Sequence, residues 1–225
     1  MKSIQKGFTL VEIAIVLVII GLLLGGILKG QEMITQAKIK NVVSDFSGIS
    51  AAYYGYQDRY RAIPGDDPSA HTRWSGAGSG GGNGVVGGAY NVACPVTVVA
   101  GAASSTPESC LWWDDLRRAG FVAGTGGQQP FNALSGYIGV QTGNATTTAP
   151  ATALGGFGGL IICSAGLTDK IAIAVDTQMD DGAIATGTVR GQLHTAGPNP
   201  TIQDASDAAG YAETGTNVYT LCRAI

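Results

Sequence analysis

Between Phe8 and Leu28 the chain carries a single ionisable side chain, Glu12. As an α-helix rising ~1.5 Å per residue, that run is about 31 Å long and spans the hydrocarbon core of a bilayer. A carboxylate inside such a helix costs roughly 2.5–3.5 kcal/mol unless it finds a partner. Glu12 therefore calls for a cation. Four cysteines, Cys94, Cys110, Cys163 and Cys222, are the next candidates for chemistry. As disulfides they allow three pairings. As zinc ligands they lack a C-x-x-C spacing, and His71 and His194 lie far from them in sequence. Asp176, Asp180 and Asp181 would make a Ca²⁺ site if two more oxygen ligands joined them, but the EF-hand pattern is absent and a solvated acidic turn is the favoured reading. Gly76, Gly78 and Gly81 satisfy G-x-G-x-x-G, yet no strand pattern precedes them and no helix pattern follows, so a nucleotide site is not expected. No G-x-S-x-G elbow, H-E-x-x-H pair or Cys/His frame is present. The expectation is a protein that is not an enzyme and holds no cofactor.

The elements that must position these groups follow from periodicity. Lys2 and Lys6 precede the apolar run with no acid among them, which keeps that end on the cytoplasmic side of a membrane. No small-x-small cleavage pattern follows the run, so the helix is retained. Ile39, Val42, Phe46, Ile49, Tyr53, Tyr56 and Tyr60 then recur at alternating spacings of 3 and 4, a single apolar seam with Lys38, Lys40, Asp45, Asp58, Arg59 and Arg61 on the other faces. This second half of the helix is amphipathic and needs a cover. Pro64-Gly65-Asp66-Asp67-Pro68 ends it. Gly25, Gly26 and Gly30 mark either a bend or a close packing of helices in its middle.

At the start of that helix, Lys6-Gly7-Phe8-Thr9-Leu10-Val11-Glu12 resembles the signature shared by type IV pilins and type II secretion pseudopilins: a basic leader ending in Gly, then Phe-Thr-Leu-(Val/Ile)-Glu and a long apolar helix. The resemblance covers about the first 30 residues. It implies cleavage between Gly7 and Phe8 by a membrane prepilin peptidase, N-methylation of Phe8, and assembly of the retained helix into a filament core. It also implies the partner of Glu12, namely the new amino group of Phe8 on a neighbouring subunit. Such a pair would select the stacking register, because a slip of one turn leaves two buried charges unpaired. The expected disulfides are Cys94 with Cys110 and Cys163 with Cys222, the second resembling the C-terminal loop that fastens the last strand of a pilin.

The expected fold is therefore α+β and pilin-like, a long N-terminal helix packed on a small antiparallel sheet. Residues 1–7 are the leader, 8–28 the membrane and filament-core helix, 29–63 its amphipathic continuation, and 64–225 a Gly-rich, disulfide-containing domain. Strands are expected over 96–100, 137–141, 160–163, 188–193 and 218–223. A short helix is expected over 109–119, with Trp112 and Trp113 as one core and one rim contact, and another over 168–182. Residues 74–88 read as a flexible surface loop, and 142–153, with the Asn144-Ala145-Thr146 sequon, as a second. Of Tyr53, Tyr54, Tyr56 and Tyr60, three belong to the seam, which accounts for them without an electron path along a filament. The formal charge of −3 becomes −5 when Lys2 and Lys6 leave with the leader, which argues against nucleic acid as a partner.

Three roles fit this reading: a major or minor pilin of a type IV pilus or related filament, a pseudopilin of a type II secretion system, or a tip subunit for adhesion or DNA. The partners are other pilins and the prepilin peptidase. The precursor belongs in a bacterial inner membrane and the product in a periplasmic or cell-surface filament.

Overall fold

The computed structural model describes residues 7–102, 104–143, 153–194, 197–203, 205, 207 and 209–225. The Asn144 sequon, Lys2 and Lys6 lie outside them. Two compact units are present, residues 1–38 and 39–225, and helix α1 (Leu10–Tyr60) contributes to both.

In the first unit α1 is unbroken through Gly25, Gly26 and Gly30, so none of these glycines unwinds it. Every residue from Gly7 to Lys29 is exposed. Leu10, Val11, Leu17, Val18 and Leu22 are all largely exposed.

In the second unit the seam is real. Ile39, Val42, Phe46, Ile49, Tyr53 and Tyr56 are buried, Tyr60 is half-buried, and Tyr54 faces outward. Their cover is a four-stranded antiparallel sheet of β1 (Ile138–Thr142), β2 (Leu160–Thr168), β3 (Val189–Leu193) and β4 (Val218–Ala224) in the order β1-β2-β4-β3. Helix α2 (Ala70–Arg73) is one turn, α3 (Glu108–Arg118) lies against the seam, and α4 (Asp169–Met179) follows β2. Ile138, Val140, Leu160, Ile162, Val189, Tyr219 and Leu221 supply the sheet's side of this core. The alternate residues Ile161, Cys163, Ala165 and Cys222 point to a second core on the far face, closed by Tyr90, Leu154, Phe157 and Ile202 from loops. An antiparallel sheet commonly leaves one face wet; here both are buried. The register slips by one residue between Ser164 and Leu167, where Gly166 takes a φ of 72°, so that Leu167 returns to the helix side.

Four expectations are corrected. Residues 96–100 form no strand: Val99 N–H bonds to the Thr106 hydroxyl, and only Gly101 makes a bridge, with Gly78. Pro95, which lacks a donor, opens that segment. Trp112 and Trp113 are both fully buried, so neither is a rim contact; the first stacks on Tyr53 at 5.2 Å and the second lies under the Arg117 guanidinium at 5.8 Å. Helix α1 stops at Tyr60, ahead of residue 63, because Arg61 turns into the left-handed region at φ 56°. The glycine-rich stretch 74–88 is a fastened one. Gly81 and Gly87 N–H groups donate to the Glu108 carboxylate, each at 2.7 Å, and Asn83 and Gly84 N–H groups to Asp66, at 3.1 and 2.7 Å.

Gly65 shows why the turn after α1 tolerates no side chain. Its φ is 81°, and a Cβ there would overlap the Glu108 carbonyl and lie 2.9 Å from the Trp112 nitrogen. Gly65→Ala is expected to destabilise the domain by about 2–4 kcal/mol, from the left-handed backbone and the overlap together. Urea denaturation of the two proteins measures it, and a difference under about 0.5 kcal/mol would show that the turn yields freely.

Candidate functional site

The N-terminal stretch folds as its residue types dictate. Thr9 precedes the first helical residue and Glu12 stands three positions on, the spacing of a capping box. The Thr9 N–H and hydroxyl both donate to Glu12 Oε2 at 2.8 Å, and Glu12 N–H donates back to Thr9 Oγ1 at 3.2 Å. Both bonds to the carboxylate fall on one oxygen. A carboxylate has about four lone-pair sites, so Oε1 can accept from a second partner. Phe8 is 84% exposed and a Cβ on Gly7 would meet nothing within 4 Å, so the Gly7–Phe8 bond lies open. Gly7, Phe8 and Glu12 thus share one short segment, with the acid one helical turn inside.

The remaining candidates sit elsewhere. Cys94 is joined to Cys110, tying a loop to α3. Cys163 is joined to Cys222, its register partner across β2 and β4. Asp176, Asp180 and Asp181 converge at the end of α4, with one oxygen of each within 4.8 Å of the others. Three of the four paired arginines bond within the domain. Arg118 bonds to Asp114 at 2.6 Å and to the carbonyls of Ser75 and Gly76, Arg117 to the Gly126 carbonyl, and Arg61 pairs with Asp58. The seam tyrosines fall into two aromatic groups, Tyr54–Tyr53–Trp112 and Tyr56–Tyr60–Trp74, rather than one line.

A buried polar network behind the end of α1 has no forerunner in the motif reading. Asp67 accepts from the Tyr56 hydroxyl at 2.8 Å and from Ser69 N–H at 2.8 Å, and it pairs with Arg73. Asp115 accepts Gly65 N–H at 2.7 Å on Oδ2, while its Oδ1 is buried without a partner. Burial pushes the Asp115 carboxyl up to about 7; the Gly65 bond opposes this and the neighbouring Asp114 charge adds to it. A cavity of about 610 Å³ opens beside the network, lined by Tyr60, Arg61, Asp66, Asp67 and Arg73 among others. Its two carboxylates are engaged by protein donors, so it presents no free acid–base pair. The sequence does show these acids beside Pro64-Gly65 and inside an apolar helix face, but only as turn formers and as one polar residue among several.

Among known proteins, residues 2–28 match the family model described as the prokaryotic N-terminal methylation motif. No curated protein and no solved structure matches the chain. The match, the open Gly7–Phe8 junction, the capped Glu12 and the uncovered apolar helix coincide on one segment: this chain carries the N-terminal signature of type IV pilins and pseudopilins.

Proposed function

We propose that the chain is made as a single-pass membrane precursor with residues 1–7 as its leader, is cut between Gly7 and Phe8 by a prepilin peptidase, is methylated on the Phe8 amino group, and is assembled through residues 8–28 as a pilin of a type IV pilus or related filament. The observation that carries this reading is the continuous exposure of Gly7 to Lys29. That surface is stable only against lipid or against the same segment of other subunits. The methylation motif on the same residues favours the subunit role over a plain anchor. Other pilins and the peptidase are then the partners, and the domain 64–225 forms the outer surface. The role is structural rather than enzymatic.

Cleavage is tested at Gly7. Gly7→Leu puts a bulky side chain at the junction and is expected to leave nearly all of the protein at precursor size on an immunoblot, at least ~100-fold less mature product than wild type. A mature-size product at wild-type yield would remove the cleavage assignment.

The same motif serves a pseudopilin, so a deletion strain separates the two machines. Loss of surface filaments by electron microscopy is the outcome expected for a pilin. Unchanged filaments with loss of secreted enzymes would assign the chain to a type II secretion system. A DNA-binding tip subunit is disfavoured because Arg61, Arg117 and Arg118 carry internal bonds or face acids.

A further inference from the structure

We infer that Asn83 is a site of self-modification: its side-chain amide is attacked by the Gly84 nitrogen, loses ammonia through a cyclic imide, and is hydrolysed to aspartate or isoaspartate. Asn83 is the only asparagine of the chain that glycine follows. Glycine puts no side chain in the path of the ring closure. Here the space is open as well, since a Cβ on Gly84 would meet nothing within 4 Å. In a flexible chain the two reacting atoms seldom meet in a productive geometry, so the rate depends on what the fold holds beside them.

Base, nucleophile and electrophile stand together in this turn. The Gly84 N–H donates to Asp66 Oδ2 at 2.7 Å, so a carboxylate is in place to take the proton of the attacking nitrogen. Asn83 Oδ1 accepts the Val85 N–H at 2.9 Å, a bond that polarises the carbonyl under attack and stabilises the oxyanion of the tetrahedral intermediate. The same bond assigns the amide. Its oxygen faces Val85, which leaves Nδ2, the departing group, as the other arm of an exposed side chain. Asp66 is itself fixed, being 3% exposed and accepting the Asn83 N–H on Oδ1 at 3.1 Å. As the bond from Gly84 N to Asn83 Cγ forms, the amide proton passes to Asp66. The bond from Cγ to Nδ2 then breaks, the proton goes to Nδ2, and ammonia leaves. Water opens the imide at either carbonyl. Aspartate at this position adds a like charge beside Asp66, and isoaspartate lengthens the main chain inside a stretch pinned by four N–H bonds to carboxylates. Both products loosen the wall that Gly82 and Gly84 contribute to the cavity behind the end of α1.

The test incubates the full chain in detergent at neutral pH and maps its peptides by mass spectrometry, reading the gain of about 1 Da at Asn83 and the isoaspartate formed there. Conversion is expected to run at least ~5-fold faster in the native chain than in the same chain unfolded in guanidinium chloride, because only the fold brings Asp66 to Gly84. This comparison needs no variant to fold. Asp66→Asn, with its folding verified by circular dichroism, is expected to convert at least ~10-fold more slowly than wild type. Asn83→Gln, whose longer side chain closes a less favourable ring, is expected to stay unmodified. No conversion at Asn83, conversion no faster in the native than in the unfolded chain, or a folded Asp66→Asn protein that converts at the wild-type rate overturns the assignment.

Discussion

Glu12→Ala is expected to leave the precursor in the membrane and processed, while its share in sheared filaments falls at least ~30-fold relative to wild type. The magnitude follows from the charge left behind. On the proposed assembly, the Phe8 amino group after cleavage is a cation in an apolar bundle, and removing its carboxylate partner leaves it buried and unpaired, at a cost of roughly 3–5 kcal/mol. Membrane insertion gains from the loss of the acid, so precursor level is not expected to drop. The Thr9 arrangement supplies the control. Thr9→Val removes one of the two donors on Glu12 Oε2 but keeps the carboxylate and the backbone donor. It is expected to weaken helix capping by about 1 kcal/mol and to assemble far better than Glu12→Ala. Immunoblots of filament and membrane fractions measure both. Equal incorporation of Glu12→Ala and wild type would remove the pairing account of this acid.

The second large effect concerns pH. In the unfolded chain the Asp115 carboxyl ionises near 3.9, as a free aspartate does. In the native domain burial lifts it to about 7. Between those values the native state holds a proton that the unfolded state has released, so stability falls as pH rises from about 4 to about 7 and the loss is complete above that. The span from pH 4.5 to pH 8 is worth about 3 kcal/mol for this group. Asp115→Asn keeps an oxygen for Gly65 N–H and cannot ionise. Relative to wild type it is expected to gain about 3 kcal/mol between those two pH values. Urea denaturation of both proteins across the range reads this difference, in which the other titrating groups largely cancel. Parallel curves would mean that Asp115 is solvated, or ionised at little cost, in the native state.

Much of the architecture was legible from neighbours in sequence. The seam from Ile39 to Tyr60 rests on helical period alone, and it is buried as that period requires. Both short helices and four of the five expected strands are present within a few residues of their expected places. The strand expected at 96–100 is absent because its β-branched residues find no partner strand. The glycine-rich stretch departs from its expected mobility for a related reason. Its composition does suggest mobility, but four of its N–H groups find carboxylates from Asp66 and Glu108, which lie 17 to 27 positions away.

The sequence by itself determined what depends on covalent order and short range: the Gly7–Phe8 junction, the acid one turn beyond it, the uninterrupted apolar run and the breakers that end the long helix. A peptidase, a capping box and a bilayer all read such features locally. Only the tertiary structure decided what depends on contacts between distant segments. The sheet order β1-β2-β4-β3 sets Cys163 opposite Cys222, loops close a second core on the far side of the sheet, and α3 carries Asp115 out of water against Gly65. Burial and the company of other charges are properties of the packed chain, so the ionisation of Asp115 and the convergence of Asp176, Asp180 and Asp181 become physical facts only once those segments meet.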